Sequence, residues 1–167
     1  MPSLSNDRKI RDGRDIMLFY YNGSSYTSIA HASSHALSLN TQTETINSKD
    51  YGKFGATDIS QITWEITSDN LYTDSGFDTF YSYMMADTTN DPNANKLTVI
   101  FGLKNPGADA VNTEATGNGN WTPSTTSYVY KGECTVSSLS INADAGSKAT
   151  VSATLSGVGP ISKVKLS

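Results

Sequence analysis

The strongest constraint on this chain's fold is the period of its apolar residues, and the one place where that period changes. Residues 60–67 alternate strictly, with Ile62, Trp64 and Ile66 on one side and Gln61, Thr63, Glu65 and Thr67 on the other. Successive side chains of a strand point to opposite faces, so this is a half-buried β-strand with one face on a core. A few residues later the spacing becomes i, i+3, i+4, i+7, i+8 at Phe77, Phe80, Tyr81, Met84 and Met85, the stripe of an amphipathic helix. Asp74 or Ser75 stands where its N-cap is needed, and Asp91-Pro92 ends the helical stretch. The pattern predicts a helix near 75–86 whose stripe packs on the core.

The remaining apolar segments read as strands. Residues 15–21 (DIMLFYY) are dense in aromatic and aliphatic side chains, and Asn22-Gly23 turns the chain because Asn-Gly readily takes positive φ. Residues 26–34 and 36–44 follow, as two strands or one long bent one. After a loop over 45–58 and the alternating strand, 96–103, 128–142 and 149–155 complete the set, the last with Val151, Ala153 and Leu155 inward. The apolar phase slips between Val136 and Leu139, which predicts a bulge. A long loop near 104–127 carries Gly and Pro breakers around Trp121, and a short basic end over 161–167 closes the chain. This predicts a mainly β fold, a β-sandwich or barrel of about seven or eight strands with one flanking α-helix. Residues 15–167 are expected to form a single domain behind a polar, flexible arm over 1–14.

Charge is unevenly spread. The formal net charge is −4, but residues 1–15 sum to +1 and the tail adds Lys163 and Lys165. The body between holds six lysines against thirteen carboxylates, a balance of −7. An acidic body argues against tight nucleic-acid binding, which replaces phosphate counterions with Lys and Arg. The single cysteine, Cys134, rules out an intrachain disulfide framework. No apolar run approaches the ~20 residues needed to cross a bilayer as a helix, and residues 1–14 lack the apolar middle of a secretory signal.

Candidate chemical sites are few. His31 and His35 are four apart, but no third ligand lies near them and the zinc-protease pattern is missing. Two polar strand residues are the plainer reading. Cys134 beside Glu133 lacks the electropositive setting a reactive thiolate needs. Glu65 and Asp69 are read as solvated charges rather than an acid/base pair. Gly52, Gly55, Gly117 and Gly119 make no phosphate loop, since no Gly-Lys-Ser/Thr follows. No catalytic group, cofactor or metal is called for.

Four phrases, in order, carry a resemblance: 15–21 (DIMLFYY), 28–40 (SIAHASSHALSLN), 48–54 (SKDYGKF) and 63–72 (TWEITSDNLY). Together with the helix at 76–85 and an ending that runs Tyr130-Lys131-Gly132 to Asn142, then 150–159 (TVSATLSGVG), the chain resembles the major tail tube proteins of long-tailed, siphophage-type bacteriophages and prophages. Order and spacing carry the likeness, and 88–127 lies outside it. The resemblance implies a structural virion protein of the phage tail, assembled in the host cytoplasm without cofactor or membrane. Copies would form hexameric rings stacked head to tail, each subunit adding a sheet to an inner barrel through which DNA passes transiently. Its other partners would be the tape measure, tail terminator and distal tail proteins. Inter-subunit candidates are then Arg8, Lys9, Arg11 and Arg14 in the arm, Lys49, Asp50 and Lys53 in the loop, and Lys163 and Lys165 at the end. Thr63, Glu65 and Thr67 are candidates to face the lumen, where an acidic or neutral surface would not hold DNA. Two other readings stay open: the inner tube of a contractile injection system, and a carbohydrate-binding or adhesin β-sandwich using Trp121.

Overall fold

The computed structural model describes residue 11 and residues 13–29, 32–105 and 121–166. Among them are eight strands and one α-helix: β1 (Ile16–Tyr21), β2 (Tyr26–Ser28), β3 (Ala32–Ile46), β4 (Ala56–Leu71), α1 (Asp74–Met84), β5 (Leu97–Asn105), β6 (Thr122–Pro123), β7 (Tyr128–Asn142) and β8 (Thr150–Lys165). The fold is mainly β with a single helix, as the periods of the sequence require. Local chemistry sets the boundaries. Between β1 and β2 the Asn22 carboxamide oxygen accepts the backbone N–H groups of Ser24 and Ser25, both at 3.0 Å, and Gly23 takes the positive φ of 103°. The cap of α1 is Thr73, one residue before the expected position. Its hydroxyl accepts the Gly76 N–H at 3.1 Å, which leaves Asp74 in the first turn, favourable to the helix dipole.

All strand pairs are antiparallel, in the order β2-β1-β5-β7-β8-β4-β3, with β6 a short addition to β5. The sheet curls. Leu18 of β1 and Trp64 and Ile66 of β4 share one core cluster with Val99, Cys134, Leu155 and the α1 residue Phe80, although three strands separate β1 from β4. The edge strands β2 and β3 are also consecutive in the chain. Four residue steps from Ser28 to Ala32 span at most about 14 Å, so the two edges of the sheet stay near each other. The expected sandwich is thus one continuous sheet rolled towards a barrel. A second cluster, Phe19, Ile100 and Val129, lies on the opposite face, covered by Trp121, Val164 and Leu166.

A tryptophan fixes the roll. The Trp64 ring lies where Cβ atoms at Gly132 and Gly157 would otherwise sit, and its indole N–H donates to the Gly159 carbonyl at 2.9 Å. Gly159, at φ 75°, and Pro160 are the extra residues of a bulge, since Glu133 pairs with Val158 but Gly132 with Ile161. The Gly-Val-Gly ending is therefore a seat for an indole.

Several expectations change. Residues 161–167 are not a short end, because β8 pairs with β7 as far as Lys165 opposite Tyr128. The loop at 45–58 contracts as β3 runs on to Ile46 and β4 begins at Ala56. Residues 26–34 hold only the three-residue β2 before β3 begins. On α1, Phe80, Tyr83 and Met84 meet the core, whereas Tyr81 (47% exposed) and Met85 (62%) turn to solvent. Of the arm over 1–14, residues 1–10 and 12 lie outside the described residues, while Gly13–Asp15 form a 3-10 turn. Most of the loop near 104–127 likewise lies outside them, at residues 106–120. The predicted bulge in β7 is present, with a register shift between Val136 and Ser138.

Candidate functional site

The face of the sheet opposite the Trp64 core is a polar floor four strands wide. Three rows cross β3, β4, β8 and β7 in register: Ser38–Glu65–Ser156–Thr135, Ala36–Thr67–Thr154–Ser138 and Ser34–Asp69–Ser152–Ser140. Every position except Ala36, Glu65 and Asp69 is a serine or threonine. No lysine or arginine enters the three rows. The hydroxyls bond across the floor: Ser152 donates to the Asp69 carboxylate at 2.6 Å, and Ser156 donates to Ser137 at 2.9 Å. Such a surface offers short, fixed hydroxyls and a weak negative charge. Thr63, Glu65 and Thr67 lie exposed on this side of β4, joined by β7 and β8 residues that sequence reasoning does not single out. Their signal is the alternation of Ser152, Thr154 and Ser156 with Val151, Ala153 and Leu155.

The second feature is an arm. β4 pairs with β8 only over Glu65–Leu71. Before that its ladder runs to β3 alone, so residues 56–63 extend about 25 Å as part of a two-stranded hairpin. Ile62, expected in the core, is 60% exposed here. Ser60 is bulged, since Gln42 pairs with Gln61 but Thr43 with Ile59. The bulge brings Ile59 to the side of Ile62, and both line an open groove with Leu39, Trp64 and Ile161. At the tip, Ser48 caps a 3-10 turn over Lys49–Tyr51 by accepting the Asp50 N–H at 3.2 Å. Lys49, Asp50 and Lys53 are thus gathered at one exposed tip beside Phe54, which is 82% exposed. Isolated two-stranded hairpins are marginal in water. β3 is also the terminal strand of the sheet, and its outer edge has no ladder partner among the described residues.

The other candidates separate. Arg8 and Lys9 lie outside the described residues, Arg11 is exposed, and Arg14 sits in the 3-10 turn before β1. Lys163 and Lys165 are strand residues opposite Tyr130 and Tyr128, with the Lys163 ammonium 5.2 Å from the Tyr128 ring centre. They do not join the tip lysines in one cluster.

His31 is outside the described residues. His35 is largely buried, neither ring nitrogen has a hydrogen-bond partner among the described residues, and burial, partly opposed by Asp69, lowers its pKa to about 4. Burial, reinforced by Glu133, pushes the Cys134 thiol up to about 12, which disfavours the thiolate a nucleophile needs. Glu65 and Asp69 share a face four residues apart, about 13 Å, too far to exchange a proton. No three His, Cys, Asp or Glu side chains converge among the described residues, and no helix there is long and apolar enough to cross a membrane. Trp121 is no open platform: it covers the second core cluster, and the Lys104 ammonium lies 4.2 Å from its ring centre. That ammonium is also 3.9 Å from the Asp15 carboxylate, both side chains being buried.

Neither a protein-family model nor a curated protein sequence matches the chain. Solved structures do. A chain in the tail of an empty gene transfer agent particle, determined with C6 symmetry, aligns with a TM-score of 0.63 at 11% identity, over 93% of this chain and 99% of that one. The SPP1 tail tube aligns at 0.62 and 8% identity, over 95% of this chain and 81% of the other. A chain of the six-fold symmetrised baseplate of the anti-feeding prophage aligns at 0.52 and 10% identity, over 90% and 91%. At such identities the likeness is one of fold, and the fold is that of tail tube subunits.

Proposed function

We propose that the chain is the major tail tube protein of a long-tailed phage or prophage, a structural virion component rather than an enzyme. In this reading copies join edge to edge into hexameric rings, the rings stack into a tube, and DNA passes down the bore at ejection. The observation that carries it is the fifteen-residue strand β3 at the edge of the sheet, continuous with a hairpin arm that exposes Ile59, Ile62 and Phe54. A free edge of that length is a template for pairing with another chain. A neighbouring copy would complete the sheet, and a closed ring would leave no edge at all. The hydroxyl floor then becomes the bore, with Thr63, Glu65 and Thr67 on it and no fixed cation in its three rows to retain a phosphate backbone.

Assembly would take place in the host cytoplasm, with the tape measure protein inside the growing tube and terminator and distal tail proteins at its ends. Likeness to a chain of the anti-feeding prophage baseplate supports a second reading, the inner tube of a contractile injection system. A sheath gene beside this one would favour that reading.

Sedimentation velocity over a concentration series tests the proposal. The expected result is a sharp transition from a species near the 17.9 kDa chain mass to ring multiples or polymers, because each added copy completes an edge. A single slow boundary unchanged across concentrations would contradict it.

A further inference from the structure

The two ends of β4 have opposite character. At its start is the arm tip with Lys49, Tyr51, Lys53 and Phe54, all exposed. At its finish Leu71 and Tyr72 run into α1, where Tyr72, Phe77 and Tyr81 form a ladder of rings with centroids 6.0 and 5.9 Å apart. Leu71, Tyr72, Tyr81 and Met85 are exposed, and Asp74 and Asp78 stand among them. The sixteen residues of β4 place these two surfaces about 50 Å apart, so one subunit cannot bring its own tip to its own helix.

Charge follows the same axis. The ladder register sets the start of β1 near the end of β5, the start of β7 and the end of β8. That end of the sheet is the tip end, because β8 runs antiparallel to β4. Arg11, Arg14, Lys49, Lys53, Lys163 and Lys165 therefore gather towards one pole, against Glu44, Asp50 and Asp58. The other pole has Asp74, Asp78 and Asp144 against Lys148, with the turn before β8 held to Tyr72 by its N–H bond to the Ala149 carbonyl at 2.8 Å.

We infer that the arm tip of one copy, Tyr51 and Phe54 flanked by Lys49 and Lys53, docks on the aromatic and acidic face of α1 of the copy stacked next to it. The inference rests on the assembly reading above and assigns the contact that stacks one ring on the next. An apolar tip with two cations meets an apolar ladder with two carboxylates, and their position at opposite poles makes the contact heterologous and open-ended. Complementary charge gives it polarity, since tip against tip would oppose like charges.

The test is a cysteine pair, Lys53→Cys with Asp78→Cys in one chain. Both native side chains are exposed, so folding is unaffected, and buried Cys134 stays silent. Under mild oxidation the double variant is expected to give a ladder of reducible covalent multimers, and each single variant none. In parallel, Lys53→Glu is expected to raise the critical concentration for tube formation about tenfold, and adding Asp78→Lys to return it towards the wild-type value. Wild-type tubes seen by electron microscopy with no ladder from the cysteine pair, or no rescue by the charge swap, would overturn this contact alone. A wild-type protein that forms no tubes at any concentration would overturn the assembly reading and this contact with it.

Discussion

The buried pair Asp15–Lys104 shows how the fold handles charge it cannot expose. The two side chains are 4–5% exposed and 3.9 Å apart, the Asp15 Oδ1 has no hydrogen bond among the described residues, and Lys104 lies against the face of Trp121. Removing one partner strands the other, typically at about 3–5 kcal/mol, whereas removing both is far milder. Lys104→Met is therefore expected to lose about 3 kcal/mol in urea unfolding, and the double variant Asp15→Asn with Lys104→Met to recover most of it. A double variant no better than the single would show that the pair is not coupled in this way. His35 adds a pH dependence. Its pKa falls from 6.5 to about 4 on folding, so the unfolded chain binds the extra proton between those values, and stability drops as pH falls through that window. The loss at pH 4.5 should approach about 2.5 kcal/mol relative to pH 7, and His35→Gln should remove that part of the slope while leaving the carboxylate contribution. Parallel slopes in the two proteins would show that His35 titrates normally.

Among the elements, β8 and the β3–β4 arm show what a sequence does and does not disclose. The bulge in β7 is legible because apolar residues change phase between Val136 and Leu139, and a phase slip has no other cheap explanation in a strand. The second half of β8 is hidden because Gly159-Pro160 looks like an ending, yet the bulge they form lets the strand resume. The exposure of Ile62 is hidden for a different reason. Alternation says that one face is apolar, not whether the chain itself or another copy covers it. Phe54 is overlooked because it lies in a polar loop between glycines, where periodicity is silent. The polar floor is half legible: β4 announces it through Thr63, Glu65 and Thr67, but its breadth needs the register of β7 and β8. Gly157→Ala probes the Trp64 seat, since a Cβ there overlaps the indole. Overpacking of this kind loses about 2 kcal/mol, a fall of about 5 °C in Tm for a chain of this size, with a shift in tryptophan emission. An unchanged Tm would mean that the indole is not seated as described.

Across the whole molecule, acidic balance, hydroxyl floor, free edge and projecting arm form one design, a subunit incomplete until it has neighbours. The floor's chemistry is open to direct test. Glu65→Lys with Thr67→Lys places two cations where the native rows have none, and should give assembled tubes a salt-sensitive affinity for short duplex DNA that the native tubes lack. The slope of log K against log salt should steepen by roughly 2, one for each phosphate that an introduced lysine neutralises. Equal retention by native and variant tubes would place these residues away from the DNA path. Everything at this scale depends on assembly itself, which negative-stain electron microscopy of the purified protein can show over a concentration series, with and without a preformed tail tip as a seed. Hollow tubes built of six-fold rings are expected above a threshold concentration. Isolated small particles under every condition, seeded ones included, would contradict the tail tube reading.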